Sequence, residues 1–112
     1  MKKVINGKVY NTDTATRIAY MDNGQNYGDF RYYEAEIYRT KKGALFLYES
    51  GGAYSTMSVP VGSNGLGGSS DIRTITTTEA VDLVNEWSQD WHIDSADTTH
   101  ALEALGCPVI EA

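Results

Sequence analysis

The stretch from Asp29 to Ser50, DFRYYEAEIYRTKKGALFLYES, decides the predicted fold because two alternating runs flank a short polar turn. The turn, Lys41-Lys42-Gly43, fits a three-residue hairpin loop in which Gly43 takes the left-handed conformation. The resulting register pairs Thr40 with Ala44, Ile37 with Leu47, and Tyr38 with Phe46. The sequence therefore predicts a long antiparallel hairpin at the centre of a sheet.

Alternation along this hairpin separates an aliphatic face from an aromatic face, because successive side chains of a strand point to opposite sides. The aliphatic face carries Tyr33, Ala35, Ile37, Leu45 and Leu47. The other face carries Phe30, Tyr32, Tyr38, Phe46 and Tyr48, with Glu34 and Glu36 among them. We predict that the aliphatic face lies in the core. The aromatic face either lies beneath a short helix or is open for association, and three of its tyrosines, Tyr32, Tyr38 and Tyr48, are then candidate partner contacts.

Two elements are predicted before this hairpin. Asn6-Gly7 is typical of a type I′ turn between short strands, since both positions tolerate positive φ. After it, Asn11 or Thr12 is placed to cap a short helix that ends near Asn23-Gly24. The apolar residues Ala15, Ile18 and Ala19 recur at helical spacing, which favours that helix.

The segment after the hairpin changes in composition. Residues 60–71 are rich in Gly and Ser, and we predict a flexible loop there, followed by a short strand from Ile72 to Ile75. Thr76 and Glu79 have the spacing of a capping box at the start of a helix. The apolar face of that helix is formed by Ala80, Val84, Trp87 and Trp91.

A second helix is predicted to start near Asp94 or Ser95 and to end at Gly106, with Pro108 preventing its continuation. It should bury Ala101, Leu102 and Leu105. The prediction is thus an α+β fold in a single domain, 1–112, with a small antiparallel sheet, a short N-terminal helix and two C-terminal helices. Residues 92–112 form the C-terminal helix and tail.

Charge is distributed unevenly along the chain. Residues 1–45 hold eight Lys/Arg and five Asp/Glu, a balance of +3, whereas residues 46–112 hold one Arg and ten acids, a balance of −9. An acidic surface attracts basic protein surfaces and repels nucleic acid, so we predict a protein partner and no direct nucleic-acid binding. No apolar run approaches the roughly 18 residues of a membrane span. We expect a soluble, cytoplasmic protein.

Enzymatic signatures are weak. His92, Asp94, Asp97 and His100 offer donors for Zn²⁺ or Mn²⁺, but the two aspartates are explained as well by the dipole of a helix N-terminus. Glu34 and Glu36 share a strand face, either as paired acid-base carboxylates or as part of a surface network held by Arg31, Arg39 and neighbouring tyrosine hydroxyls. The Gly-rich segment lacks the Lys-Ser/Thr ending of a phosphate-binding loop. We therefore predict a protein that is not an enzyme and uses no cofactor.

Five motifs carry a resemblance to a known family. They are Tyr10 to Ala15, Asp29 to Gly43, Phe46-Leu47, Gly51-Gly52 and Glu79 to Trp87. Over roughly residues 6–91 the chain resembles small proteins from phages and mobile elements of Gram-positive bacteria, some of whose relatives are anti-CRISPR inhibitors. Ile37 stands where that family usually has Leu, and the segment after Trp91 lies outside the pattern.

The resemblance implies an inhibitor that binds a CRISPR effector nuclease in the bacterial host cell. Such nucleases hold nucleic acid in positively charged channels, so an acidic helix face is suited to occupy one as a DNA mimic and block loading or recognition. The residues predicted to contact the partner are Glu79, Asp82, Glu86, Asp90, Asp94, Asp97, Tyr32, Tyr38 and Tyr48. The alternatives are a generic interaction module, or a homodimer that uses the aromatic sheet face, and less favoured, a small metal-binding protein.

Overall fold

The computed structural model describes residues 1–26, 28–63, 65–90 and 95–107, without the side chains of 90, 95 and 96. The fold is α+β, as predicted, with antiparallel sheets and two helices in the described ranges. The strands are β1 (Lys2–Ile5), β2 (Lys8–Asn11), β3 (Thr16–Asp22), β4 (Tyr33–Arg39), β5 (Leu45–Gly51), β6 (Val59–Val61), β7 (Gly65–Gly67) and β8 (Ser69–Thr74). The helices are α1 (Thr77–Asp90) and α2 (Ser95–Ala104).

The central sheet has four antiparallel strands in the order β3-β4-β5-β8. The predicted hairpin forms its middle, and the predicted register is confirmed, with Ile37 opposite Leu47 and Tyr38 opposite Phe46. Gly43 has a φ of 91°, as the three-residue loop requires. Two further hairpins, β1–β2 and β6–β7, accompany this sheet.

The predicted N-terminal helix is wrong, because the segment forms strand β3. The candidate cap Asn11 closes a turn instead: its side-chain Oδ1 accepts a hydrogen bond from the Asp13 amide at 2.9 Å. A register shift between Arg17 and Ala19 places the adjacent Ile18 and Ala19 in the same buried cluster. Such a bulge imitates the spacing of a helix, which explains why the apolar pattern misled.

Both predicted C-terminal helices are present and cover one face of the sheet. Thr76 and Glu79 exchange backbone amide to side chain hydrogen bonds of 3.1 Å, which confirms the capping box at the start of α1. At the end of α2, Gly106 has a φ of 81° and the Cys107 amide donates to the Leu102 carbonyl at 2.8 Å. This is the Schellman pattern, and it confirms the predicted stop at Gly106.

The main core lies between the helices and the aliphatic face of the sheet, as predicted. Ala35 and Ile37 of β4 and Val84 of α1 have no exposed surface. The other buried members are Ile18, Ala19, Met21, Leu47, Ile75, Ala80, Trp87, Ala101, Leu102 and Leu105. Arg39 donates a hydrogen bond to the carbonyl of Ala104, so the sheet also binds the last turn of α2.

The aromatic face of the sheet is partly a second core. Phe46 has no exposed surface, stacks on Tyr38 with ring centroids 5.2 Å apart, and meets the edge of Tyr10 at 5.7 Å. Tyr10 belongs to β2, so the β1–β2 hairpin covers this end of the face where a helix was expected. Lys3 fastens the hairpin to β8 through a 2.7 Å ion pair with Asp71.

The segment 60–71 is not the element-free loop that was predicted, since it holds parts of β6 and β8 and all of β7. Several of its glycines serve close packing. A Cβ atom at Gly68 would lie 2.3 Å from the Gly51 carbonyl oxygen. The composition indicated a loop because glycine has two structural uses. It gives the backbone flexibility, and it also permits two backbones to approach closely, and composition does not distinguish these uses.

Candidate interaction surface

The outer side of α1 presents carboxylates to solvent. Glu79, Asp82 and Glu86 are exposed, and they lie on one face because their spacing of three and four residues follows the helical repeat. The opposite face of the helix buries Ala80, Val84 and Trp87 in the core. Three of the predicted contact residues are therefore brought together on a helix whose orientation is fixed by packing.

The three carboxylates are not equivalent. Glu79 accepts the Thr76 amide, which is the largest cause of its lowered pKa, and it lies 3.6 Å from the Arg73 guanidinium. Asp82 and Glu86 have no hydrogen bond or ion pair to any residue within the described ranges. Glu79 is thus largely occupied by the fold, and Asp82 and Glu86 carry the available charge of α1.

A fourth carboxylate, Glu49 of β5, lies near this surface. It accepts a 2.6 Å hydrogen bond from the Tyr33 hydroxyl and lies 3.6 Å from the Arg73 guanidinium. Burial, the hydrogen bond to Glu49 and the nearby charge of Glu86 all raise the pKa of Tyr33. Arg73 therefore offsets part of the acidic field at the Glu49 and Glu79 side, and the field is strongest toward Asp82 and Glu86.

The remaining predicted acidic contacts do not join the carboxylates of α1 in the described structure. Asp97 is exposed in the first turn of α2, where it lines a shallow groove with His100, Arg17 and Tyr20. The side chain of Asp90 and all of Asp94 and His92 lie outside the described residues. Within the described part of the chain, no three His, Cys, Asp or Glu residues converge as metal ligands.

The predicted tyrosine contacts are mostly enclosed. Tyr38 is buried beneath the β1–β2 hairpin, so it is not available to a partner, contrary to the open alternative for this face. Tyr32 is also buried, and its hydroxyl donates to Glu34 at 2.6 Å. Tyr48 is half-buried beside Phe46 in the second cluster.

The neighbouring carboxylates of this face form a surface network. Glu36 accepts from Arg17 at 2.9 Å and from the Tyr38 hydroxyl at 3.1 Å, and Arg17 lies over the ring of Tyr20 at 5.3 Å. Burial, followed by the charge of Glu36, raises the pKa of Tyr38 to about 12. The network interpretation is thus favoured for Glu36, although the cation is Arg17 and not the predicted Arg31 or Arg39.

The structure brings together two exposed aromatic rings that the sequence did not single out as a pair. Phe30 and Tyr54 are 63% and 67% exposed, and their ring centroids are 5.5 Å apart in an edge-to-face arrangement. Their loops are joined by a 2.6 Å hydrogen bond from the Tyr54 amide to the Phe30 carbonyl. Gly52 is the sequence feature that agrees with this contact, but it does not predict the contact, because a glycine can be required at a position for several structural reasons.

A groove of about 360 Å³ is lined by one member of this pair, Tyr54, and by residues of α1. It is lined by Tyr54, Ser55 and Thr56 from the loop after β5 and by Leu83, Glu86 and Trp87 from α1. The remaining lining residues are Asn23, Arg31 and Tyr33. The acidic face of α1 is therefore continuous with an aromatic groove.

Comparisons with models of known protein families, with curated proteins and with solved structures find no significant match to this chain. Within the described residues, no helix combines the length and the apolar character needed to cross a membrane.

Proposed function

We propose that this protein is a non-enzymatic inhibitor of the anti-CRISPR type, which binds a CRISPR effector nuclease through the acidic face of α1. The observation that carries the proposal is the exposure of Asp82 and Glu86, without internal partners in the described ranges, on a helix anchored by Val84 and Trp87. The resemblance of residues 6–91 to proteins of phages and mobile elements supplies the class of partner.

Rigid display of carboxylates suits recognition of a nucleic-acid channel. Such a channel is lined by Lys and Arg spaced for backbone phosphates, and a fixed row of carboxylates offers the same sign of charge. Because α1 is held by a capping box and a buried face, little conformational entropy is lost when its acids bind. Binding at that channel excludes the nucleic acid, and no bond needs to be made or broken.

The net charge of −6 assists the encounter of the two proteins. Complementary fields raise association rates and decline with ionic strength, since the Debye length is about 10 Å at 0.1 M salt and about 3 Å at 1 M. The proposal therefore requires binding that weakens markedly as salt is added.

The test is binding and inhibition across a panel of effector nucleases with two charge-matched double variants. Asp82→Lys with Glu86→Lys reverses the proposed contact, and Asp13→Lys with Glu103→Lys reverses two exposed acids elsewhere. Each change adds two charges, so both double variants move the net charge from −6 to −2. We expect the first variant to lose capture and inhibition, and the second to retain most of both.

Two outcomes contradict the proposal. Equal loss in both double variants shows that net charge, and not the face of α1, governs binding. Absence of binding to every effector class by the wild-type protein removes the assigned partner altogether. Circular dichroism and thermal unfolding of both variants establish that neither result arises from misfolding.

A further inference from the structure

The groove beside α1 combines the exposed ring of Tyr54 with the carboxylate of Glu86, which has no ion-pair partner among the described residues. We propose that this groove, between Tyr54 and Glu86, is the subsite that receives an arginine side chain from the basic surface of the partner. The identity of the protein that supplies the arginine rests on the proposed function. The preference of the groove for an arginine side chain rests on its own lining residues.

The sign of the groove follows from its two charged lining residues. Arg31 is held by Asp29, whose carboxylate accepts two guanidinium hydrogen bonds of 3.3 Å and the Arg31 amide at 2.7 Å. Glu86, in contrast, has no ion-pair partner within the described part of the chain. Arg31 is thus locally neutralised and Glu86 is not, so the groove favours a cation.

The polar groups on the walls are mostly occupied. The Asn23 side chain donates to the Arg31 carbonyl at 2.7 Å and accepts the Tyr33 amide at 3.2 Å. The Ser55 hydroxyl donates to the Gly52 carbonyl at 2.8 Å. The carboxylate of Glu86 and the exposed ring of Tyr54, which both line the groove, remain available to a ligand.

An arginine side chain matches these features. Its aliphatic stem can lie along apolar walls such as Leu83, its planar guanidinium stacks on a tyrosine ring, and its paired N–H groups bind one carboxylate in two places. A lysine ammonium lacks the planar fork and is more strongly hydrated, so it fits the same walls less well.

The aromatic side of the groove is prearranged. A Cβ atom at Gly52 would lie 2.6 Å from the Phe30 carbonyl oxygen, so glycine is required where the two loops meet. That close approach, together with the Tyr54 amide to Phe30 carbonyl hydrogen bond, fixes the backbone that carries the ring of Tyr54. Phe30 then supports that ring edge-to-face. Exposed aromatics on a fixed backbone are typical of interface hot spots.

The experiment uses three small probes and the full chain labelled with ¹⁵N for NMR. N-acetyl-arginine methylamide is compared with the lysine compound and with the citrulline compound, which keeps the shape of arginine without its charge. We expect the arginine probe to shift the amides of residues 54, 83 and 86 and the indole N–H of Trp87. Glu86→Gln should weaken this binding about two- to fivefold, as for exposed ion pairs.

Matched variants make the result decisive. Glu103→Gln removes the same charge from an exposed position of α2 outside the groove and should leave the affinity of the arginine probe unchanged. Tyr54→Leu should weaken binding about two- to fivefold, the range of an exposed cation–π contact, whereas Tyr20→Leu should not. Equal binding of citrulline, equal binding of lysine, equal effects of Glu86→Gln and Glu103→Gln, or no localised shifts would each overturn the assignment of an arginine subsite.

The two proposals fail separately. If the probe binds in the groove but no effector nuclease is captured, the arginine subsite stands and the assigned partner is wrong. If an effector is captured through Asp82 but the probe does not bind, the acidic face stands and the subsite is wrong.

Discussion

The two phenylalanines of this chain provide a matched test of whether the aromatic face of the sheet is buried beneath the β1–β2 hairpin. Phe46 has no exposed surface and lies between Tyr38 and the edge of Tyr10, whereas Phe30 is 63% exposed. Truncation of a buried phenylalanine to alanine costs about 3 to 5 kcal/mol, because transfer energy is lost and a cavity remains. We expect Phe46→Ala to fall in that range.

Phe30→Ala makes the same chemical change on the surface. It removes little buried area and one edge-to-face contact with Tyr54, so the expected cost is about 0.5 to 1.5 kcal/mol. The difference between the two variants is therefore about 1.5 to 4.5 kcal/mol. That difference is large against the total stability of about 5 to 15 kcal/mol that is typical of a domain.

Urea unfolding followed by tryptophan fluorescence measures this difference. With a slope of about 1.5 kcal/mol/M, typical of a small domain, Phe46→Ala should lower the midpoint by about 2 to 3 M and Phe30→Ala by about 1 M or less. If Phe46→Ala is too unstable to measure, Phe46→Leu should still cost about 1 kcal/mol. Equal losses for the two alanine variants would refute burial of the aromatic face beneath the β1–β2 hairpin.

Four further predictions follow from individual contacts. Thr76→Ala should lower the free energy of unfolding by about 1 kcal/mol through loss of the capping box, measured by urea unfolding against Thr78→Ala. Gly106→Ala should cost about 1 kcal/mol in the same assay, because φ at this position is 81°. Because the folded pKa of Tyr38 is raised to about 12 from the ordinary 10.0, its contribution to stability is complete below pH 10 and declines as pH rises toward 12. Stability measured across that interval should decline less in Tyr38→Phe, and an unchanged profile would contradict the assigned environment. Gly52→Ala should separate the loops of Phe30 and Tyr54 without unfolding the sheet. Binding of the arginine probe, measured by NMR, should then weaken about two- to fivefold, the range expected when an exposed cation–π contact is lost.

Local sequence patterns predicted an element correctly where each pattern is compatible with one structure. The Lys41-Lys42-Gly43 turn determined the register of β4 and β5 because side chains alternate strictly along strands. The spacing of Thr76 and Glu79 determined the start of α1, and Gly106 determined the end of α2. Each of these features depends on residues only a few positions apart.

The failures have a common physical origin in contacts between distant segments. Ile18 and Ala19 imitate a helix because a bulge turns both toward α1 and α2, and the bulge exists only when β3 pairs with β4. Gly68 reads as a flexible loop residue, yet its role is to approach the backbone of Gly51. The cover over Tyr38 is likewise set by the packing of a hairpin that is distant in sequence.

The candidate surface was predictable in part for the same reason. Helical periodicity placed Glu79, Asp82 and Glu86 on one face, as the structure has them. Helical periodicity gave no information on Arg73 of β8, which forms an ion pair with Glu79. The groove lined by Tyr54 and Glu86 depends on the tertiary packing of loops against α1, so no residue spacing in the sequence predicts it.

The most direct test of the central claim is the salt dependence of binding to the captured effector nuclease. Between about 0.1 M and about 1 M salt the screening length falls from about 10 Å to about 3 Å, so affinity that depends on the carboxylates of α1 should fall steeply. The slope should be shallower for Asp82→Asn with Glu86→Gln, which remove the two charges without reversing them, than for Asp13→Asn with Glu103→Gln. An affinity that is constant across this range, or equal slopes for the two variants, would contradict recognition through the acidic face.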